Sequence, residues 1–467
     1  MNKQSSILNQ FKLKNVHGYK DFLINFHEDV TVILAENGFG KTTILMSLYY
    51  FISGQFSKLL PLPFTELELQ FKDGEIINFN KQQALTIDPK SKDRLIRMTL
   101  RLPPTQSLED IDISKNIDKL AVLYFSKQSQ LIKEDDFFKF LYVNTPWDDD
   151  ELYERLAKIF DKMIQNEYIS DIRKKISERF TNIDILLLTT YRRIEATEED
   201  LQFNNALDGF NSINYFNNIR KRRFIEDNDQ LINFGLSDVE KQLNILTNSI
   251  KKDLLQSYQS LSNNIIDTLL DDRPEIVEIT DEDKKTIKLM LERLGNYTDD
   301  KIKQILDAID NNKHNNPLIY LFIKLIDSYK KSKDQENAIE NFVNLINDYF
   351  RMSDFNDKLI RFDKTKLTVD VFNTHLEEPI QLGSLSSGEK QIISIFSKLI
   401  LNLDKKFLIL IDEPELSLSL EWQQRLLPDM LKQNSCNQII AITHSPFIFD
   451  NEFDANATTI EIKINGK

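Results

Sequence analysis

The sequence predicts an α/β protein: a discontinuous head, with a mainly parallel sheet and an antiparallel β lobe, interrupted by helical material. Three observations carry this reading. Apolar, β-branched runs alternate with helical stretches toward both ends of the chain, the order that builds a parallel sheet. A glycine-poor middle, residues 236–350, repeats its apolar residues every three or four positions. Glycine is scarce, 11 in 467 residues, and four sit in two short stretches near opposite ends, Gly38 with Gly40 and Gly383 with Gly388. Glycine kept for such places marks backbone that must approach something closely.

The elements follow in order. Residues 11–16 and 22–26 read as short strands, and 30–34 (VTVIL) as a buried one by its β-branched content. A loop leads to a helix over 42–51. From 64 to 102 the pattern alternates (ELELQF, EIINF, RLIRMTLRL), predicting a small antiparallel sheet. Residues 183–189 (IDILLLT) suit a central strand. Leu236, Val239, Leu243, Leu246, Ile250 and Leu254, continued by Leu261, Ile265 and Leu269, form the stripe of one amphipathic helix, about 50 Å long at 1.5 Å per residue. Further helices follow over 281–294 and on to 349. This insertion is either a helical domain packed on itself or a short antiparallel coiled-coil hairpin. Strands return at 358–362, 366–372 and 379–382, then a helix over 389–403, a buried strand at 406–411, a helix over 421–432 and a strand at 438–443. The organisation is therefore head at 1–130, a helical segment at 131–180, a head strand at 181–200, the insertion at 201–355 and head again at 356–467.

Composition narrows the function classes. Lys and Arg number 59 against 73 Asp and Glu, a net charge of −14, so the surface as a whole does not suit coating nucleic acid. Cys436 is the only cysteine, which leaves no intrachain disulfide and no cysteine zinc cluster. No apolar run approaches the ~18 residues of a membrane span, and residues 1–10 lack the apolar core of a signal peptide. A cytoplasmic protein with no membrane partner is expected. Arg220, Lys221, Arg222 and Arg223 form the strongest basic run: a solvated loop, a patch for an acidic partner, or a DNA contact.

Three motifs carry chemistry. Ala35-Glu36-Asn37-Gly38-Phe39-Gly40-Lys41-Thr42-Thr43 follows a strand and opens a helix, the context of a phosphate-binding loop. Its N–H groups would cradle phosphate oxygens, Lys41 would reach the β- and γ-phosphates, and the Thr42 hydroxyl would ligate Mg²⁺. Only Ala35 departs from the pattern, standing where glycine is usual. In FLILIDE an apolar strand ends in two carboxylates. Asp412 is expected to hold Mg²⁺, and Glu413 to polarise the attacking water as general base. Leu385-Ser386-Ser387-Gly388-Glu389-Lys390-Gln391 lies at a helix start, where Ser386 and the Gly388 N–H can bind an anion; Ser386 with Glu389 also has the spacing of a capping box.

LSSGEKQ resembles the signature motif of the ABC ATPases, in the form used by chromosome-maintenance and recombination-repair ATPases. The resemblance implies an ABC-type head, ATP and Mg²⁺ as ligands, and a signature that completes the nucleotide site of an opposite subunit. Ser386 and Gly388, with Ser387 and Glu389 of the same motif, would then meet ATP held by Lys41 of another copy. It also implies a D-loop at Ser417-Leu418-Ser419-Leu420, where Ser419 and Leu420 depart from the common SLHP. His444 in AITHSP matches the switch histidine, and Gln128 and Gln130 are candidates for the Q-loop. Within that superfamily the chain resembles anti-phage defence ATPases and the overcoming-lysogenization-defect nucleases, which share DEPE and a Ser-Leu-rich D-loop. Thr190-Tyr191-Arg192-Arg193-Ile194-Glu195 looks like the TYRRIE element of the defence ATPases. The PARIS ATPase subunits (the AriA type) are most similar, with the Septu ATPase as near competitor. The stretch after Pro446 is too short for a fused Toprim domain. The resemblance therefore implies a separate effector nuclease, Toprim-like or HNH-like, a phage-encoded trigger protein, and a homo-oligomer of at least two copies. The alternative is a repair or chromosome-maintenance ATPase clamping duplex DNA, with nucleic acid as partner.

Overall fold

The computed structural model describes residues 6–35, 40–86, 89–101, 113–126, 128–188, 236–270, 279–293, 297–311, 317–353 and 357–464. The chain opens with a hairpin, β1 (Leu8–Val16) and β2 (Lys20–Asn25), and crosses to β3 (Val30–Leu34). Helices α1 (Lys41–Ile52) and α2 (Phe56–Leu59) lead to a second hairpin, β4 (Glu66–Phe71) and β5 (Ile76–Asn80). In β4 the buried Leu67, Leu69 and Phe71 alternate with solvated residues, as a sheet with one covered face requires.

Helices α3 (Lys81–Leu85), α4 (Pro89–Leu100), α5 (Ile113–Phe125), α6 (Ser129–Glu134), α7 (Asp136–Asn144), α8 (Asp149–Met163) and α9 (Glu167–Arg179) follow. Side-chain caps set several of their starts: Asn80, Asp148 and Asn166 accept N–H groups of the first turns of α3, α8 and α9. Here the sequence reading needs a correction. Residues 94–100 of RLIRMTLRL are the end of α4, not a strand. Lys92, Ile96 and Leu100 are buried at helical spacing, whereas alternation would bury Met98 beside Ile96 and Leu100; Met98 is 69% exposed.

The strand β6 (Asp184–Leu188) comes next, then the helices α10 (Leu236–Leu270), α11 (Asp281–Arg293), α12 (Asp299–Asn311) and α13 (Pro317–Arg351). Val239, Leu243, Leu246 and Ile250 of α10 share an apolar core with Ile339, Phe342 and Ile346 of α13. An antiparallel sheet of β7 (Lys358–Asp363), β8 (Thr368–Asn373) and β9 (Glu378–Ile380) leads into α14 (Ser387–Ile400). The chain finishes with β10 (Phe407–Asp412), α15 (Leu420–Leu431), β11 (Cys436–Thr443), β12 (Ala457–Thr459) and β13 (Glu461–Ile464).

Two sheets form the head. The parallel one has the order β12-β3-β11-β10-β6, the antiparallel one β13-β2-β1-β4-β5. Strands β10 and β11 are buried along nearly their whole length, because a central parallel strand is covered on both faces. Alternate residues serve opposite layers. Leu408, Leu410, Ile440 and Ile442 face the core built with β1, β4 and α1, while Phe407, Ile409, Ile411, Ile439 and Ala441 face the core built with α13, α14 and α15. The α/β head with a parallel sheet, an antiparallel sheet and many helices is as the sequence predicts.

Candidate active site

The parallel register sets the site. Leu34 pairs with Thr443, and Asp412 with Ile442, so β3, β11 and β10 end together at one edge of the sheet. Ligands of open α/β sheets sit beyond that edge. The Ala35 N–H donates to the Thr443 carbonyl at 3.3 Å, which fixes where the loop leaves β3. Gly40 caps α1 with φ of 78°, the left-handed region that a side chain resists. Asn37, Gly38 and Phe39 of the predicted loop lie outside the described residues.

Lys41 is the first residue of α1 and is buried; its Nζ donates to Glu413 Oε1 at 2.9 Å. Thr42 is exposed, and its hydroxyl donates to Asp412 Oδ2 at 3.4 Å. The Thr43 carbonyl accepts the Ser47 hydroxyl inside the helix. Glu413 has φ of 49°, an uncommon conformation for a residue with a side chain, while its N–H still reaches the Ile442 carbonyl at 2.8 Å. The chain thus turns sharply at the strand end, with both carboxylates at the edge. His444 Nδ1 lies 3.9 Å from Glu413 Oε1. Lys41, Thr42, Asp412, Glu413 and His444 are therefore brought into one cluster.

Glu415 is the residue that sequence reasoning left without a role. It is 5% exposed. Its carboxylate accepts the Thr443 hydroxyl at 2.7 Å and the His444 N–H at 3.1 Å, and lies 2.9 Å from His444 Nδ1. Both the backbone and the ring of His444 are thereby held. The signal was the second acid of DEPE, which is too short a hint to specify a partner 29 positions away.

The signature segment forms its capping box. Ser386 Oγ accepts the Glu389 N–H at 3.3 Å, and Glu389 Oε2 accepts the Ser386 N–H at 2.7 Å. Ser386 and Ser387 are exposed, Gly388 and Glu389 buried. A Cβ on Gly388 would lie 2.3 Å from the Ser417 carbonyl oxygen, so glycine is required for this helix to meet the loop after Glu413. Gln391 Nε2 donates to the Pro414 carbonyl at 3.3 Å, the second link between α14 and that loop. Ser417 itself has φ of 67°. Of the Q-loop candidates, Gln128 precedes α6 as its N-cap and Gln130 donates to Glu134 within that exposed helix. The TYRRIE stretch and residues 220–223 lie outside the described residues.

Among the described residues no group of three or more His, Cys, Asp or Glu side chains could hold a metal ion. The oxygens of Thr42 and Asp412 instead make a sparse, hard donor pair, which fits Mg²⁺: that ion keeps several waters and takes further oxygens from phosphate. No helix of the described residues is long and apolar enough to cross a membrane. A family model described as an AAA ATPase domain matches residues 7–449. No curated protein matches the chain.

Proposed function

The chain belongs to the AAA ATPase domain family, and so binds ATP; on that premise we propose that it is a magnesium-dependent ATPase with Lys41, Thr42, Asp412, Glu413 and His444 as its working residues. The observation that carries this is their convergence: helix α1 and the ends of β10 and β11 put a lysine, a threonine, two carboxylates and a histidine within direct reach at one sheet edge.

Chemistry follows from the charges. The Lys41 ammonium is paired with Glu413, in a site where water is largely excluded from the lysine. A phosphate oxygen brings the same negative charge at higher density and competes for that ammonium. When Lys41 turns to phosphate, the Glu413 carboxylate regains the lone pair that takes a proton from water. Thr42 and Asp412 would hold Mg²⁺, which neutralises charge on the phosphate oxygens. His444, its Nδ1 held by Glu415, lies beside the same position.

The finer reading rests on sequence resemblance. It makes the chain the switch subunit of an anti-phage defence complex, with ATP held between Lys41 of one copy and Ser386 and Gly388 of another. A phage-encoded trigger would act on that assembly, and a separate Toprim-like or HNH-like nuclease would be released. The exposure of Ser386 and Ser387 supports this, since they are accessible to a second copy.

The test combines ATP binding, turnover and native mass for the wild type, Lys41→Ala and Glu413→Gln, each co-expressed with neighbouring genes. Expected are weakened binding in Lys41→Ala, retained binding without turnover in Glu413→Gln, and a nuclease-sized partner released by a phage protein. Equal binding and turnover in all three chains would sink the site assignment. A partner-free dimer that shifts duplex DNA would replace the defence role with a DNA clamp.

A further inference from the structure

The capping box at Ser386 is not closed by its own two residues alone. Lys358, the first residue of β7, donates from Nζ to both oxygens of Glu389 at 2.9 Å. Glu389 Oε2 is the same atom that accepts the Ser386 N–H. A carboxylate on an exposed helix start samples several rotamers; here one ammonium, mostly shielded from water, fixes both of its oxygens.

Lys358 is in turn held by the helical insertion. Two residues along β7, the Ile360 N–H donates to Asn347 Oδ1 and the Ile360 carbonyl accepts Asn347 Nδ2, both at 2.8 Å and both buried. Asn347 lies on α13. At the turn between β7 and β8, the Lys364 carbonyl accepts Arg293 Nε at 2.9 Å, and the Arg293 guanidinium makes a bidentate, buried pair with Glu336 of α13. Strand β7 is thus pinned to α13 in its middle and to α11 at its far end, with its near end carrying the lysine that sets the signature turn.

We propose that Lys358 is a positioning residue for the ATPase reaction: through Glu389 it orients the Ser386–Gly388 turn, and through β7 it ties that turn to the frame of α11 and α13. The proposal rests on the ATPase reading above for its kinetic consequence, not for its geometry. Removing the ammonium leaves the Glu389 carboxylate to rotate toward water, and the Ser386 N–H loses its fixed acceptor. Lys41 belongs to another element, the start of α1, and keeps its place. Turnover should therefore fall while ATP affinity holds.

Lys358→Met and Lys358→Arg, compared with wild type, give the test. Lys358→Met is expected to lower kcat about tenfold with KM for ATP within about twofold, and Lys358→Arg to restore kcat to within about twofold. Lys358→Met combined with Glu389→Gln should be no slower than the slower single variant, since both break one link. In parallel, hydrogen exchange of the amides of residues 386–391 should quicken about fivefold in Lys358→Met, with α15 unchanged. An unchanged kcat in Lys358→Met, or no recovery in Lys358→Arg, overturns the kinetic role. Unchanged exchange at 386–391 overturns the positioning itself. If wild type and Lys41→Ala hydrolyse ATP equally, the site reading fails instead, and the exchange arm still decides for or against Lys358.

Discussion

Lys41 and Glu413 are 372 positions apart in sequence and 2.9 Å apart in space, and what each does depends on the other. Lys41→Ala should lose at least about tenfold in ATP affinity, read by titration calorimetry, because the main positive charge for phosphate goes with it. Glu413→Gln should keep affinity and lose more than about 100-fold in kcat, since the amide cannot take a proton. Glu415 acts one step behind. Glu415→Ala leaves the Thr443 hydroxyl only its long bond to the Ser445 carbonyl and takes the acceptor from the His444 N–H, and about 2–3 kcal/mol of stability should go with them, measured by urea unfolding, together with turnover. Gly388→Ala must displace the Ser417 carbonyl, and is expected to lose turnover while retaining ATP binding. These residues differ in how readable they were. Lys41, Thr42, Asp412 and Glu413 stand in motifs whose order on strand and helix already placed them at one sheet edge. Glu415 and Lys358 act through partners far along the chain, and no local pattern announces a tertiary bond.

At the level of elements, strands that are covered on both faces were legible because their apolar content is continuous: VTVIL, FLILID and IDILLL all lie in the parallel sheet. The failure at 94–100 has an equally plain cause. Leu95, Ile96, Met98 and Leu100 fit both periods, and burial of Lys92 under α5 decides for the helix: its ammonium is paired with Asp118 at 2.6 Å. Element α3 opens with a second, partly buried lysine of this region. Lys81 donates to the Leu60 and Leu62 carbonyls after α2 and lies over the Phe64 ring. Burial pushes its pKa down from 10.5 to about 7. Between those values the unfolded chain binds the extra proton, so this group's contribution to stability rises with pH from about 7 to about 10.5; below 7 both states are protonated and the full cost of burying the charge remains. Urea midpoints at pH 7 and pH 9 should show a gain of about 2 kcal/mol in wild type relative to Lys81→Met. An equal pH response in the two chains would show that Lys81 stays charged in the fold.

For the molecule as a whole, the parallel sheet welds the two ends of the chain. Strand β3 has β11 on one side and β12 on the other, and β2 has β13 beside it. Arg293 on α11 donates to the Lys364 carbonyl after β7 and is held there by its buried pair with Glu336 on α13; breaking that pair with Glu336→Ala should cost about 3–5 kcal/mol. A chain ending at residue 435 should be insoluble or fail to bind ATP, because β3 would lack both neighbours. Recovery of a soluble, ATP-binding fragment of that length would contradict this. That strands from both ends of the chain belong to an α/β head was readable from where the apolar runs fall; the pairing of β3 with β11 was not, since nothing local in VTVIL chooses its neighbour. That strand order also sets a clock. On the ribosome, β3 emerges early and its partner in the sheet is roughly 400 residues away, about 20–80 s at ordinary elongation rates. For that interval the apolar strand has no sheet to join. A nascent chain in that state offers holding chaperones an uncovered apolar strand, and the sheet edge that carries Lys41 and Glu413 can close only after β11 has been made.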